Sequence, residues 1–194
     1  MNDEIIDYLS EHILLTEEEK NIIRNAITIK NFPKGALLLK EQQTLHASYF
    51  VVKGCIRRYY LVDGEEKTTH FYTEGQSILT HSQQQQAVPS TYYLACVEPS
   101  SLAVCTGEKE AMLFEGNPRL ESLSRLLTEQ DLIHNEETFA TFVRSSPTER
   151  YINLLKNRPE LLDRVPQYQL ASYLGVKPET LSRIKKRIAQ RGIK

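Results

Sequence analysis

The sequence predicts an α+β protein. An N-terminal antiparallel β-roll of jelly-roll type is followed by a long connecting helix and a C-terminal all-helical domain. Three observations carry this. Between Ala26 and Thr106, short β-branched and aromatic runs alternate with glycine turns, the pattern of many short antiparallel strands. From Arg119 to Val143 neither Gly nor Pro interrupts the chain, long enough for a single extended helix. The third is charge: Arg164 to Lys194 contains eight Lys or Arg and one acid, Glu179, a net +7 in a chain whose total is −1. Residues 1–163 therefore carry −8, so a basic module sits on an acidic body.

Taken in order, residues 1–25 read as helical, with Thr16-Glu17-Glu18-Glu19 forming a capping box, in which Thr and the third Glu satisfy free backbone N–H groups. Strands are expected at Ile27–Lys30, Ala36–Lys40, Tyr49–Val52, Cys55–Val62, Lys67–Tyr72, Thr91–Val97 and Ser101–Thr106. Asp63-Gly64 is a hairpin turn, since both residues tolerate positive φ. These elements make a roll domain over 1–116. The connecting helix, 117–144, places Leu120, Leu123 and Leu127 three and four apart, and Leu126, Ile133 and Ala140 seven apart. Leu120, Leu123, Leu126, Leu127 and Ile133 are thus expected to form a dimer seam, interrupted by Gln130, His134 and Glu137; the alternative is a helix packing only on its own roll. Ser146-Pro147-Thr148-Glu149 is a second capping box with Pro at the first helical position, opening a domain over 145–194.

No apolar run approaches a membrane span, and the acidic start Met1-Asn-Asp-Glu lacks the features of a signal peptide, so a cytoplasmic protein is expected. Cys55, Cys96 and Cys105 are scattered, without metal or redox spacing. They read as buried hydrophobes, and no cofactor or metal is expected. Nothing in the sequence has the form of a nucleophile–base set or a phosphate loop, so an enzyme is not expected.

The tail satisfies the constraints of a helix-turn-helix around Gly175. Leu170 and Leu174 lie five and one residues before it; Val176, Leu181 and Ile184 lie one, six and nine after it; Ala171 supplies the small residue at the close crossing. Gly175 can take a positive φ without a Cβ clash. The second helix then runs from Pro178 to about Gln190, with Leu181, Ile184 and Ile188 inward. Its outer face offers Glu179, Thr180, Ser182, Arg183 and Lys186. Arg183 can bond guanine N7 and O6, and Glu179 can accept from cytosine N4; the same two residues could instead form a surface i,i+4 pair, or do both. Lys177, Lys185, Lys186, Arg187 and Arg191 suit phosphates.

On these residues the chain resembles the Crp/Fnr family of bacterial transcription regulators. The resemblance rests on Pro33-Lys-Gly35, Tyr49-Phe-Val-Val-Lys-Gly54-Cys-Ile56 and Gly75-Gln-Ser-Ile78 in the roll, and on Ala171 to Arg183 in the tail. It implies base reading at the positions of Pro178, Glu179 and Arg183, the first of which proline cannot perform. It also implies a β-hairpin wing after the recognition helix, and none is evident before Lys194. Cyclic-nucleotide-binding members carry a Gly-Glu and, about ten residues on, an Arg-Ser or Arg-Thr. The matching segment here is Leu79-Thr80-His81-Ser82-Gln83, then Pro89-Ser90-Thr91, and no Lys or Arg occurs between Lys67 and Lys109. A buried phosphate without a cation is costly, so control by cAMP or cGMP in the usual mode is not expected. Thr80, His81, Gln83, Ser90 and Thr91 stay candidates for lining a pocket for another small-molecule effector; the alternative is a loop over a filled roll.

The expectation is a homodimeric, sequence-specific binder of double-stranded DNA that regulates transcription, with RNA polymerase and an unknown small-molecule effector as further partners and no membrane association. The rival is a small-molecule sensor or adaptor whose basic tail contacts a protein.

Overall fold

The computed structural model describes residues 3–79 and 89–190. The chain forms two units, residues 1–57 with 71–132, and residues 58–70 with 133 onward.

In the first unit the N-terminal helical stretch is two helices, α1 (Asp3–Ser10) and α2 (Glu17–Ala26). Thr16 caps α2 through both arms of the expected box: its hydroxyl accepts from the Glu19 N–H, and the Glu19 carboxylate accepts from the Thr16 N–H at 2.8 Å. The strands are β1 (Thr28–Phe32), β2 (Leu37–Leu39), β3 (Ala47–Lys53), β4 (Ile56–Val62), β5 (Glu65–Tyr72), β6 (Ser77–Ile78), β7 (Tyr93–Cys96) and β8 (Ser100–Thr106). They form two four-stranded sheets, in the orders β1-β8-β3-β6 and β2-β7-β4-β5. The two-residue β6 was not expected as a strand. It is too short to show a period and exists only by pairing with Tyr49 and Phe50. Asp63 (φ 52°) and Gly64 (φ 78°) make the β4–β5 turn as expected.

Strand alternation divides β3 between two cores. Ala47 and Val51 face the roll interior, packed with Leu39, Ile56, Ile78, Leu94, Cys96, Leu102 and Val104. Phe50 faces the other way, into a helix-covered core with Ile6, Leu15, Ile23, Ile27, Ala103 and Leu120. Helix α3 (Gly107–Phe114), capped by Thr106, leads into α4 (Pro118–Arg144), 27 residues long. The start of α4 is pinned to α2: Arg119 donates to the Leu14 carbonyl at 3.0 Å and pairs with Glu19 at 3.4 Å.

This packing corrects the expected dimer seam. Leu120 and Leu123, 3% and 5% exposed, are buried in the core of their own protomer and cannot also face a partner. Leu127 is half-buried. Leu126 and Ile133 are exposed, as are Leu132, Phe139 and Val143 farther along α4. Spacing alone could not tell an inward stripe from an outward one.

The second unit holds the outer part of the β4–β5 hairpin, the end of α4, and helices α5 (Pro147–Asn157), α6 (Leu161–Arg164), α7 (Gln167–Tyr173) and α8 (Pro178–Gln190). Ser146 caps α5 with the full expected box. Among the described residues no helix is long and apolar enough to cross a membrane.

Candidate nucleic-acid interface

Helices α7 and α8 are joined by the turn expected at Gly175. Leu170, Ala171, Leu174, Leu181, Ile184 and Ile188 are buried, and Val176 is half-buried. Gly175 has φ +68°, and a Cβ there would lie 2.9 Å from Arg150 Nη1 and 3.1 Å from the Phe142 ring. The turn is closed by the Gly175 N–H donating to the Ser172 carbonyl and the Val176 N–H to the Ala171 carbonyl.

With one face of α8 buried, the opposite face is fixed. At 3.6 residues per turn, Glu179, Ser182, Arg183 and Lys186 lie together, away from Leu181, Ile184 and Ile188. All four are exposed, as are Lys177 and Arg187; Thr180 and Lys185 are half-exposed. Arg183 does not pair with Glu179. Its guanidinium donates to Thr180 Oγ1 at 3.2 Å, so Thr180 is the residue that orients it. Arg187 donates to Thr148 Oγ1 at the start of α5, which ties α8 to α5. Lys177 supplies the carbonyl that the Thr180 and Leu181 N–H groups donate to. Arg191 lies outside the described residues.

Three contacts were not legible in the sequence. Arg150 of α5 donates to the Leu174 carbonyl at 2.8 Å and to the Ser145 carbonyl at 3.1 Å, and its guanidinium lies 3.8 Å over the Phe142 ring. It thereby satisfies a free carbonyl at the end of α7. Ser172 of α7 bridges to β5: its hydroxyl donates to the Glu66 carbonyl at 2.7 Å and accepts from the Thr68 N–H at 2.9 Å. His70 of β5 bonds Asn135 Oδ1 through Nε2 at 3.1 Å, while Nδ1 is 2.6 Å from Arg58 Nη2. An Nε2-protonated neutral ring fits both, accepting from Arg58 and donating to Asn135. Burial, with the Arg58 charge behind it, pushes the His70 pKa down to about 4.

The expected effector group fares differently. Thr80, His81 and Gln83 lie outside the described residues. Thr91 is exposed. Ser90 is a correction: it is buried, its hydroxyl donates to the Tyr92 carbonyl at 2.8 Å and accepts from the Tyr92 N–H at 3.0 Å, and its backbone pairs with Gln42 and Gln43. Its polar groups are spent on a turn.

No family model and no curated protein matches the sequence. Solved structures do match. FixK2 from Bradyrhizobium japonicum is 20% identical over 86% of this chain and 86% of that one, with a TM-score of 0.71. The c-di-GMP-responsive global regulator CLP of Xanthomonas campestris is 16% identical over 91% and 93%, also at 0.71. A protein from Eubacterium rectale described as a transcriptional regulator of the crp/fnr family is 15% identical over 92% and 85%, at 0.70. The order of elements is shared across nearly the whole chain: antiparallel sheets, a long helix, then C-terminal helices. The chain has the fold of the Crp/Fnr regulators.

Proposed function

We propose that the protein is a sequence-specific DNA-binding transcription regulator acting as a cytoplasmic homodimer, without enzymatic activity. One observation carries the reading: α8 buries Leu181, Ile184 and Ile188 and presents Arg183, Lys186 and Ser182 together on its outer face. That is the arrangement by which a recognition helix enters the major groove while its partner helix supports it. Arg183, steadied by Thr180, and Glu179 are the base readers. Lys177, Lys186 and Arg187 meet phosphates, and Arg187 must exchange its Thr148 bond to do so. Pro178 is silent, so the site read differs from that of members with a polar residue there.

A dimer through the exposed part of α4 would set two copies of α8 in successive major grooves, about one helical turn apart. Effector control by cAMP or cGMP in the usual mode is not part of this reading, because no Lys or Arg falls between Lys67 and Lys109 to neutralise a phosphate. RNA polymerase and another small-molecule effector remain partners of the proposed regulator.

The test is selection of binding sites from random DNA, followed by anisotropy titration of the selected site. A palindromic consensus is expected. Arg183→Ala should weaken binding by about 1–3 kcal/mol and relax the preference at one position of each half-site. Unchanged affinity and unchanged preference would remove Arg183 as a reader. A flat selection would remove sequence-specific binding altogether.

A further inference from the structure

Two residues, Ser145 and Ser146, separate the end of α4 from the start of α5. Such a link is where a hinge forms, a few residues at element ends taking up the change of backbone angle. Arg150 of α5 spans it. Its Nε donates to the Ser145 carbonyl at 3.1 Å, its Nη1 donates to the Leu174 carbonyl at 2.8 Å, and the guanidinium lies 3.8 Å over Phe142 in the last turn of α4. One planar group therefore touches the end of α4, the α4–α5 link and the C-cap of α7. The two carbonyls lie at or just past the C-terminal ends of α7 and α4, where a cation is favoured. A lysine could not replace it: an ammonium is a point charge, whereas the guanidinium holds its donors in fixed directions and stacks on a ring. The space is fitted to it as well, since a Cβ on Gly175 would lie 2.9 Å from Nη1.

A second tie runs between the same helices. Asn135 of α4 bonds His70, and Ser172 of α7 bonds Glu66 and Thr68, all three on the β4–β5 hairpin. Two separate ties fix an angle where one would allow a pivot. The Arg187–Thr148 bond holds α8 to α5, so the outer face of α8 turns with the helix that carries Arg150. Ile133, Phe139 and Val143 are exposed on this same stretch of α4, where the second copy is proposed to dock.

We infer that Arg150 sets the distance between half-sites that the dimer accepts. It touches no base; it is a positioning residue that acts through the angle between α4 and α8, and its role rests on the dimeric DNA reading proposed above. One base pair more or fewer between the half-sites displaces one of them by about 3.4 Å and rotates it by about 35°. A rigid pair of recognition helices cannot follow that change, and a pivoting pair can.

The test uses the full chain and the palindromic site obtained by selection, with one or two base pairs inserted at its centre or one removed. The wild type should lose about tenfold or more in affinity for a single inserted pair, comparable to a mismatched base pair. Arg150→Lys and Arg150→Ala should cut that penalty to about threefold or less on the same scale and keep the same preferred bases in each half-site. Phe142→Leu, which removes the stack and keeps both carbonyl bonds, should fall between. Phe142 is 38% exposed, so this variant folds even where an Arg150 variant does not, and circular dichroism checks each. A merely structural Arg150 would lower affinity by one factor at every spacing. That result, or an unchanged spacing penalty in the folded variants, would overturn the inference. A wild type that selects a palindrome but tolerates every spacing equally overturns it alone, whereas a wild type that selects no sequence overturns the regulator reading and this inference with it.

Discussion

Gly175 shows how much of a motif can rest on one residue. Its left-handed backbone and the closeness of Arg150 and Phe142 act in the same direction. Gly175→Ala is expected to cost about 1–3 kcal/mol, part from the conformation and part from displacing the Arg150 guanidinium from the Leu174 carbonyl. Urea denaturation of the two proteins measures it. His70 yields a pH prediction. Its folded pKa is about 4 against an ordinary value near 6.5, so the unfolded chain takes the proton first as pH falls. The stabilisation from holding the ring neutral is complete above pH 6.5, shrinks through the window down to 4, and is gone below it, at most about 3 kcal/mol in all. Replacing His70 by Gln should flatten the stability-versus-pH curve in that window, as followed by thermal melts at half-unit steps.

Among elements, α4 carries two different apolar stripes. The inward one, Leu120 and Leu123, belongs to the helix-covered core. Leu120→Ala should therefore destabilise the protomer by about 2–5 kcal/mol, the range for a buried leucine. The outward one includes Leu126 and Ile133, 43% and 57% exposed. Under the proposed dimer, Ile133→Asp is expected to give a monomer of nearly unchanged intrinsic stability, read by sedimentation velocity and denaturation together. Loss of protomer stability in that variant, with the dimer intact, would place Ile133 inside a fold and not at a seam. The caps are simpler elements: Thr16 and Ser146 each hold a reciprocal box, and the residues that make it are adjacent in sequence, which is why both were legible there.

For the whole molecule, the uneven charge implies a salt response. The basic tail and the acidic body give little net charge between them, so phosphate contacts come from a few local cations and not from the protein's overall field. Log affinity should fall linearly with log salt, and Lys186→Ala should reduce the magnitude of that slope by about one while leaving site preference unchanged. The same contrast explains what was readable. The roll, the long helix and the Gly175 turn are written in local periods and turn residues. Ser90 could not be placed from sequence because its backbone partners, Gln42 and Gln43, lie in a turn far from it along the chain. The Ser172 bridge was missed because it depends on chain segments that meet only after folding. Leu120 and Leu123 have the spacing of a seam, and only their neighbours show which way they face.

The Ser172 bridge also bears on the order in which the protein is made. Its hydroxyl joins α7 to Glu66, 106 residues earlier in the chain. During synthesis the hairpin leaves the ribosome first and waits through the rest of the roll and all of α4 before its partner exists. The second unit is therefore built from two segments separated by residues 71–132 of the first unit, a long-range closure that slows folding. A recognition module cut out at residue 145 would lack the hairpin and Phe142 together, and would be a poor substitute for the module within the intact chain.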